Sequence, residues 1–426
     1  MTGNLTEQFP PLTEHEALVE ANRCLYCYDA PCTHACPTHI DIPKFIKKIA
    51  TGNTTGSAAT ILRSNLLGAT CARVCPVQEL CEGACVLGSE HKPIANGRLQ
   101  RHAMDHLWSW GFSMGRKPGA QTGKRIAVIG AGPAGLSCAG ELALRGHDVT
   151  IYEKREMPGG LSTYGIIVLR EPVDVALAEA EMIRNLGVHI ETGVNVGTDV
   201  MVENLRSTFD AVFLSVGLGA TPTLGIPGEE HIVDGLDYIS RSKMSPEQLE
   251  PASDVLVIGA GNTAIDCATV AKRIGSDRVT MIYRRTEREM TAYDHEYSFV
   301  KNEGVGFEFL AQPVRVVANG NGVTGLECVR TKLTPHPESI AGSEFVLPAK
   351  QIIKAIGQNR PSIATLLGIE TERGLIRVND EFETGAPGIF AGGDCIRVTG
   401  AASTVMAVQD GKLAAAAIHN KVMANG

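Results

Sequence analysis

The pattern of apolar and polar positions predicts a helical region at the start of the chain. In DIPKFIKKIA the apolar residues recur at helical spacing, and Asp41 stands where it can cap the helix. Thr13 precedes Glu16 by three positions, which is the spacing of a helix-capping box. A further helix is expected over NGRLQRHAMDHLWSW. No strand-like run precedes a polar, glycine-bearing stretch near residue 119, so residues 1–119 are predicted to form a helical domain.

Two later segments change to a buried strand, a glycine turn, a helix and a second strand. The first reads RIAVIG, AGPAGLSCAGELALRG and DVTIYEK; the second reads DVLVIG, AGNTAIDCATVAKRIG and RVTMIYRR. Each has the pattern of a nucleotide-binding βαβ unit. The terminal GIFAGGDC and STVMAVQDGKLAAAAIHN predict a strand and a long helix that need a sheet to join. The predicted fold class is therefore α/β, with a helical domain before two Rossmann-like domains.

Length, charge and apolar content limit the kinds of function that this chain could have. The 426 residues suggest about three domains at roughly 150 residues each. A formal net charge of -8 argues against nucleic acid as a partner, because binding a phosphate backbone needs a concentrated positive field. No apolar run approaches the roughly 18 residues of a membrane span, and MTGNLTEQFPPL does not resemble a secretion leader. We therefore expect no membrane partner and a cytoplasmic location.

Eight of the twelve cysteines lie in two tight groups within the first 85 residues. Each group contains a Cys-Pro step, as the cluster-binding runs of bacterial ferredoxins do, although the first reads CxxCxxxxCxxxC. Iron–sulfur clusters are the leading interpretation. Structural zinc is the alternative, since it also takes four thiolates, whereas disulfides do not suit a reducing compartment. The groups are Cys24, Cys27, Cys32 and Cys36, and Cys71, Cys75, Cys81 and Cys85.

The first glycine loop, GAGPAG, follows an apolar strand and opens a helix. Gly130 would make the turn, Gly132 would let the backbone approach a pyrophosphate, and Gly135 would allow close helix packing. Glu153 follows 23 residues after Gly130, where a carboxylate can accept hydrogen bonds from an adenosine ribose. A plain glycine turn with an exposed glutamate is the alternative, but it does not explain the whole series of features.

The second loop, GAGNTA, has Ala264 in the third glycine position. Arg284 and Arg285 stand where the first unit has its acid, and guanidinium groups there suit a 2′-phosphate. We therefore expect NADP(H), with a solvated strand end as the alternative. A dithiol reductase is disfavoured because Cys267 has no partner cysteine three residues on. The isolated cysteines are expected to be buried small residues: Cys138, Cys267, Cys328 and Cys395.

Several segments of the chain together resemble a known family. They are CLYCYDAPCTHACPTHIDIPKFI, LGATCARVCPVQELCEGAC, GAGPAG, GGLSTYGI, GAGNTAIDCA, YRRTERE and GIFAGGDC. The chain resembles the flavin and iron–sulfur electron-entry subunit of bacterial dihydropyrimidine dehydrogenase and, more distantly, the small subunit of glutamate synthase. The resemblance implies FAD, NADP(H), with NAD(H) as the other option, and two [4Fe-4S] clusters.

The resemblance also implies a ligand set. Cys24, Cys27 and Cys32 would share one cluster with Cys85. The other cluster would take three further cysteines and a glutamine from a GLQ-like helix, with Cys71 as a spare thiol. These ligands are Cys36, Cys75, Cys81 and Gln100. Counting thiolates alone would instead make Cys71 the eighth ligand, so spacing leaves the two alternatives open.

The family's flavoprotein part resembles thioredoxin reductase, with the NADP domain inserted in the FAD domain. Carried over, residues 120–228 and 357–426 form the FAD domain, and residues 229–356 form the NAD(P)H domain. This chain has GIIVLREPV where the family usually has GIPxFRLP. The implied cofactor-binding residues are Gly130, Gly132, Pro133, Ala134, Gly135, Glu153, Gly160, Leu161, Arg170, Val196, Gly393, Asp394 and Thr404, together with Ala260, Gly261, Asn262, Thr263, Arg284, Arg285, Ala355 and Gly357.

The expected activity is transfer of a hydride from NAD(P)H to FAD, followed by single electrons passing through two clusters to a partner. Hydride transfer needs no side-chain acid or base, so no catalytic residue is predicted. The implied partner is a separate catalytic subunit of dihydropyrimidine dehydrogenase that contains FMN and iron–sulfur clusters and catalyses the reversible reduction of uracil or thymine. Glutamate synthase, a ferredoxin or another reductase is an alternative partner. A zinc-stabilised nucleotide-binding sensor is the alternative from another class.

Overall fold

The computed structural model describes residues 5–109, 115–320, 322–334, 336–397 and 403–424. These residues form two compact units. The first unit comprises residues 9–163, 173–218 and 360–424, and the second comprises residues 5–8, 164–172 and 219–359. The second unit includes residues 164–172 as well as 219–359. The predicted domain bounds, and the division into an FAD and an NAD(P)H domain, stay predictions.

The helices are α1 (Glu14–Asn22), α2 (Pro31–Ala35), α3 (Ile42–Ala50), α4 (Thr54–Ser64), α5 (Gly68–Val74), α6 (Asn96–Ser109), α7 (Pro133–Leu144), α8 (Leu161–Tyr164), α9 (Val173–Arg184), α10 (Val202–Thr208), α11 (Gly235–Met244), α12 (Asn262–Arg273), α13 (Asp294–Asn302), α14 (Ile363–Leu366) and α15 (Thr404–Ala424). The strands are β1 (Arg125–Ile129), β2 (Asp148–Glu153), β3 (His189–Thr192), β4 (Ala211–Leu214), β5 (Val233–Asp234), β6 (Asp254–Ile258), β7 (Arg278–Tyr283), β8 (Gly306–Phe309), β9 (Ala311–Asn319), β10 (Gly322–Thr334), β11 (His336–Ser339), β12 (Phe345–Pro348), β13 (Gln351–Lys354), β14 (Thr371–Glu372), β15 (Leu375–Ile376) and β16 (Ile389–Ala391).

The first unit begins with the six helices α1 to α6, and no strand interrupts residues 5–109. The predicted capping box is confirmed, because the Glu16 amide donates to Thr13 Oγ1 at 3.2 Å and the Thr13 amide donates to Glu16 Oε2 at 2.8 Å. Asp41 caps α3 by accepting from the Lys44 amide at 3.2 Å. The last residue of the predicted NGRLQRHAMDHLWSW helix, Trp110, lies outside the described residues.

A five-stranded parallel sheet follows in the first unit, in the order β16-β4-β1-β2-β3. Helix α7 connects β1 to β2, which pair in register from Arg125 with Asp148 to Ile129 with Tyr152. The terminal strand β16 pairs with β4, so it joins this sheet as the pattern required. The side chains of β1 after Arg125 are buried, as expected for a parallel sheet covered on both faces.

The second unit contains its own five-stranded parallel sheet, in the order β5-β13-β6-β7-β8. It also contains an antiparallel sheet in which β10 pairs with β9, β11 and β12. The antiparallel sheet was not predicted. The α/β class, with a helical domain and two Rossmann-like sheets, is confirmed. Among the described residues, every helix is too short or too polar to cross a membrane.

Candidate cofactor sites

The GAGPAG loop joins β1 to α7 in the first unit. Gly132 is the N-cap of α7 and Pro133 is its first residue, so no side chain caps the amides that face outward from this helix end. A Cβ at Gly135 would lie 2.0 Å from the Gly130 carbonyl oxygen, which shows how closely the helix packs against the turn. Such an uncapped helix N-terminus suits a pyrophosphate.

Glu153 lies at the end of β2, with its side chain held against this loop. Its Oε2 accepts a hydrogen bond from the Ala131 amide at 2.8 Å, and its Oε1 accepts one from the Arg155 amide at 2.9 Å. Only 6% of Glu153 is exposed. Charge-assisted hydrogen bonds therefore fix the carboxylate beside the turn where a ribose would lie.

A second backbone segment covers the loop. The Gly159 amide donates to the Ala131 carbonyl at 2.8 Å, and Gly160 and Leu161 follow at the start of α8. Val196 is partly buried in the same unit and makes a bridge with Val200. Gly160 and Leu161 thus follow a residue bonded to the GAGPAG loop, and Val196 follows Val194, whose amide donates to the Glu153 carbonyl at 2.9 Å.

The terminal segment returns to the same loop. A Cβ at Gly393 would lie 3.0 Å from the Cβ of Ala134. Burial raises the pKa of Asp394, and the charge of Asp410 raises it further, while Arg397 lowers it. Helix α15 begins at Thr404 as predicted. The contacts of these residues with a flavin stay predictions.

Arg170 belongs to the second unit, whereas the residues described above belong to the first. Its guanidinium forms ion pairs with Asp266 on α12 and Glu296 on α13, and 18% of its side chain is exposed. The structure thus gives Arg170 two carboxylate partners. Its predicted role in lining the flavin stays a prediction.

The GAGNTA loop occupies the equivalent place after β6 in the second unit. The Gly259 amide donates to the Ile282 carbonyl at 3.0 Å. The Ala260 carbonyl accepts from the Thr291 amide at 3.3 Å and from the Ala292 amide at 3.2 Å. Gly261 is the N-cap of α12 and makes no side-chain cap bond, and Asn262 and Thr263 are the first residues of the helix. Asn262 Oδ1 accepts a hydrogen bond from the Tyr293 amide at 3.1 Å. This helix end also suits a pyrophosphate.

Arg284 and Arg285 follow the last residue of β7. Arg284 is exposed and Arg285 is half-buried, and neither forms a salt bridge within the described part of the chain. Burial raises the pKa of the neighbouring Tyr283, while the charges of Arg285 and Arg284 lower it. Two guanidinium groups that form no salt bridge in the described residues suit a 2′-phosphate, although the charge of Arg285 also lowers the pKa of Glu289. Ala355 and Gly357 follow β13 in the same sheet, after the strand that pairs with β6.

The first group of thiols lies close together in the helical part of the first unit. Burial raises the pKa of Cys24, a hydrogen bond from the Tyr26 backbone lowers it, and the charges of Cys27 and Cys85 raise it. Burial raises the pKa of Cys32 to about 11, with Cys24 and Cys85 adding to the effect. Because charge interactions weaken with distance, Cys24, Cys27, Cys32 and Cys85 are neighbours.

The second group forms around Cys75. A hydrogen bond with Cys71 and burial raise its pKa, and the charges of Cys71, Cys81 and Cys36 raise it further. Gln100 lies on α6, and its Nε2 donates to the Gly68 carbonyl at 2.7 Å. Cys71 thus lies beside Cys75, while Cys81 has both Cys36 and Cys32 as charge neighbours. The division of the thiols between two clusters, and the choice between Cys71 and Gln100, stay predictions.

Crowded thiolates are unfavourable unless bound metal offsets their charge. This donor set fits a thiolate-bound metal group. Two hydrogen bonds also involve the sulfurs. The Ile94 amide donates to Cys85 Sγ at 3.5 Å, and Cys36 Sγ lies 3.4 Å from Thr38 Oγ1.

In the described residues no group of three or more His, Cys, Asp and Glu side chains could hold one metal ion. That finding concerns a single ion, whereas a [4Fe-4S] cluster takes one ligand per iron.

Sequence reasoning missed the side chains that hold the parts of the first unit together. Glu179 on α9 accepts from the Ala69 and Thr70 amides of α5 at 2.7 and 3.2 Å. Asp410 and Lys412 on α15 contact the GGDC turn and the cysteine region. Charged residues in the middle of the alanine-rich terminal helix were a signal in the sequence. The isolated cysteines are buried as predicted, with 0% exposure for Cys138, Cys267, Cys328 and Cys395.

Two known families match this chain. Residues 2–111 match dihydropyrimidine dehydrogenase domain II, 4Fe-4S cluster, and residues 124–411 match the pyridine nucleotide-disulphide oxidoreductases. The first match supports an iron–sulfur site and disfavours zinc. The second implies FAD and NAD(P)H.

The chain is similar to two curated proteins of Escherichia coli (strain K12) over nearly its whole length. It is 36% identical over 418 residues to NAD-dependent dihydropyrimidine dehydrogenase subunit PreT, covering 98% of this chain and 97% of that protein. It is 32% identical over 441 residues to the glutamate synthase (NADPH) small chain, covering 97% of this chain and 93% of that protein.

Among solved structures, thioredoxin reductase of Lactococcus lactis in its FR conformation is similar in fold. The TM-score is 0.58 at 21% identity, covering 71% of this chain and 99% of that chain. The chain is therefore an NAD(P)H-dependent oxidoreductase of the pyridine nucleotide-disulphide oxidoreductase family, with an iron–sulfur domain like that of dihydropyrimidine dehydrogenase, and is a relative of PreT and the glutamate synthase small chain.

Proposed function

We propose that this chain is the electron-entry subunit of a dihydropyrimidine dehydrogenase. It would bind FAD in the first unit, NADP(H) in the second unit and two [4Fe-4S] clusters among the cysteines. Its partner would be a separate FMN-containing subunit that reduces uracil or thymine reversibly. The complex would be a hetero-oligomer in the cytoplasm.

One observation carries this proposal. The cysteine region matches the iron–sulfur domain of dihydropyrimidine dehydrogenase, and the whole chain aligns with a subunit named for that enzyme. When bound, FAD exchanges hydride with a nicotinamide and single electrons with iron–sulfur clusters. The chain's own residues would position these groups and set the charge around them.

The roles of the residues follow from their positions. Gly132 and Pro133 would present the amides of α7 to the pyrophosphate of FAD, and Glu153 would accept hydrogen bonds from its ribose. Asp394 and Thr404 would lie near the ribityl chain and the isoalloxazine. In the second unit, Gly261 and the start of α12 would bind the pyrophosphate of NADP(H).

The choice of coenzyme depends on Arg284 and Arg285. The curated relative PreT is named NAD-dependent, and the glutamate synthase small chain is named for NADPH. Two arginines without a salt-bridge partner in the described residues favour a 2′-phosphate. We therefore propose NADP(H) as the preferred coenzyme.

Glutamate synthase is the second candidate, because its small chain also aligns over nearly the full length. Gln100 favours the pyrimidine enzyme, since the resemblance to that enzyme is what implies a glutamine ligand at this place. The same electron-entry function would also serve a ferredoxin or another reductase.

Isolation of the native complex tests this proposal. The protein is purified from its host without oxygen, and the co-eluting subunit is identified by mass spectrometry. We expect an FMN-containing subunit, uracil-dependent NADPH oxidation and about eight irons per chain, four for each cluster. Glutamine-dependent NADPH oxidation without uracil activity would support the second candidate. Oxygen-protected protein with no iron or acid-labile sulfide would overturn both.

A further inference from the structure

Three consecutive residues of α15 contact three different parts of the first unit. Asp410 is fully buried and accepts a hydrogen bond from the Gly393 amide at 3.0 Å. Arg397 donates to the same carboxylate through Nε at 2.8 Å. Asp410 therefore fixes the GGDC turn, in which Asp394 is the proposed flavin-binding residue.

The next residue, Gly411, brings α15 against α7. A Cβ at Gly411 would lie 2.2 Å from the Ala134 carbonyl oxygen and 2.9 Å from the Cys138 amide nitrogen. Ser137 Oγ also donates to the Val408 carbonyl at 2.7 Å. The backbones of the two helices are thus in direct contact behind the GAGPAG loop.

The third residue, Lys412, extends to the cysteine region. Its Nζ donates to the Thr38 carbonyl at 3.2 Å and to the Ser64 carbonyl at 2.9 Å. Thr38 is fully buried, and its hydroxyl lies 3.4 Å from Cys36 Sγ. Lys412 therefore holds its ammonium group beside the loop that carries Cys36.

The pKa of Lys412 reflects both its burial and the charged groups near it. Burial lowers its pKa, Glu141 and Cys36 raise it, and Arg116 and Arg145 lower it. Both of its hydrogen-bond acceptors in this contact are neutral carbonyl oxygens. Its positive charge is thus not neutralised by a direct ion pair with a carboxylate in the described residues.

We propose that Lys412 sets the redox potential of the iron–sulfur site that includes Cys36, Cys75 and Cys81. This inference rests on the proposed function, because it needs a cluster at those thiols. Reduction adds one electron and changes no bond, so the site becomes one unit more negative. A fixed ammonium group nearby stabilises that reduced form and raises the potential. Lys412 would act on the site through its charge alone and would not bind iron.

The test compares variants of the full chain, loaded with its cofactors and kept free of oxygen. Lys412→Gln removes the charge, Lys412→Arg keeps it, and Lys421→Gln is the matched control. Lys421 lies on the same helix and pairs with Glu383. Potentials are read from the electron paramagnetic resonance signals of the reduced clusters during a redox titration.

We expect Lys412→Gln to lower the potential of one cluster only, so that its reduced-to-oxidised ratio at a fixed potential falls about tenfold, or about 59 mV for one electron. Lys412→Arg should restore most of that shift, and Lys421→Gln should leave both potentials unchanged. The same potential in Lys412→Gln and wild type would overturn the inference. Complete loss of one signal in Lys412→Gln would also overturn it, because Lys412 would then be needed to assemble the site.

These outcomes are distinct from failure of the proposed function. If wild-type protein carries two clusters but Lys412→Gln shifts neither, only the role of Lys412 is wrong. If wild-type protein carries no cluster, the proposed function itself is wrong.

Discussion

Gln100 Nε2 donates a hydrogen bond to the Gly68 carbonyl at 2.7 Å. This bond holds the Gln100 side chain, which extends from α6, against the start of α5. Oε1 of Gln100 is then the atom that could bind iron. Cys71 lies three residues after Gly68, is 2% exposed and hydrogen-bonds with Cys75. Of the two rival ligands, Cys71 is therefore beside Cys75, and Gln100 is held against the start of the helix that carries Cys71.

Replacing each rival separately distinguishes them. We expect Gln100→Ala to alter the electron paramagnetic resonance signal of one cluster and to lower its iron content, because that cluster loses a ligand. Cys71→Ser should leave both signals and about eight irons per chain. The opposite pattern, with Cys71→Ser losing one signal, would make Cys71 the eighth ligand.

The arginines after β7 give a test of coenzyme choice. A hydrogen bond to a charged group contributes about 1.5–3 kcal/mol, so replacing Arg284 or Arg285 with Gln should raise the KM for NADPH about tenfold or more. The KM for NADH should change little, because NADH has no 2′-phosphate. Steady-state reduction of ferricyanide measures both values.

Arg278→Gln is the matched control, since Arg278 begins the same strand and pairs with Asp254. It should leave both KM values unchanged. Equal increases in KM for NADPH and NADH in the Arg284 and Arg285 variants would contradict the proposal that these arginines bind the 2′-phosphate.

The regular parts of this fold were predictable because their signals are local. The two strand–glycine–helix units and the capping box at Thr13 depend on residues a few positions apart, and all of them are present. The cysteine groups were visible for the same reason. The proximity of Cys24 to Cys85 was not visible in the spacing, because residues so distant in the chain come together only through tertiary packing.

Other features needed the structure. Strand β10 pairs with three partners across residues 311–348, and such antiparallel pairing leaves no fixed spacing in the sequence. Arg170 sits in a conspicuous segment, but its partners Asp266 and Glu296 are about 100 residues or more away. Lys412 appears in the sequence as one charge in an alanine-rich helix. Long-range electrostatics of this kind cannot be derived from spacing alone.

Glu179 joins the helical part of the first unit to its sheet. Its carboxylate is 1% exposed and accepts from the Ala69 and Thr70 amides, which belong to the first turn of α5 and have no partner within that helix. We expect Glu179→Ala to lower the free energy of unfolding by about 3 kcal/mol, because two buried amides lose a charged acceptor. Urea unfolding without oxygen, followed by circular dichroism, measures the change.

Glu181→Gln provides the comparison on the same helix. Glu181 pairs with Arg184 at the surface, so its replacement should change the free energy of unfolding by less than about 1 kcal/mol. If Glu179→Ala were as stable as Glu181→Gln, the contact between α9 and α5 would contribute little to holding this unit together.

A pair of histidines links the end of α15 to the turn before β2. His147 Nε2 and His419 Nδ1 lie 2.8 Å apart, and His147 Nδ1 lies 2.8 Å from Thr122 Oγ1. A hydrogen bond between two ring nitrogens requires one of them to be without a proton. Burial, helped by the charges of His419 and Arg145, lowers the pKa of His147 to about 4.

This lowered pKa predicts how stability depends on pH. Between the ordinary pKa of 6.5 and about 4, the unfolded chain binds a proton at His147 that the folded chain does not. The contribution of His147 to the free energy of unfolding is therefore complete above pH 6.5. It is lost as the pH falls towards 4, at up to about 1.4 kcal/mol per pH unit. Urea unfolding at intervals from pH 7 to pH 5 should show that His147→Gln has a shallower decline than wild type. His189→Gln, at an exposed position, should keep the wild-type slope. Parallel declines in wild type and His147→Gln would mean that His147 is not the group responsible.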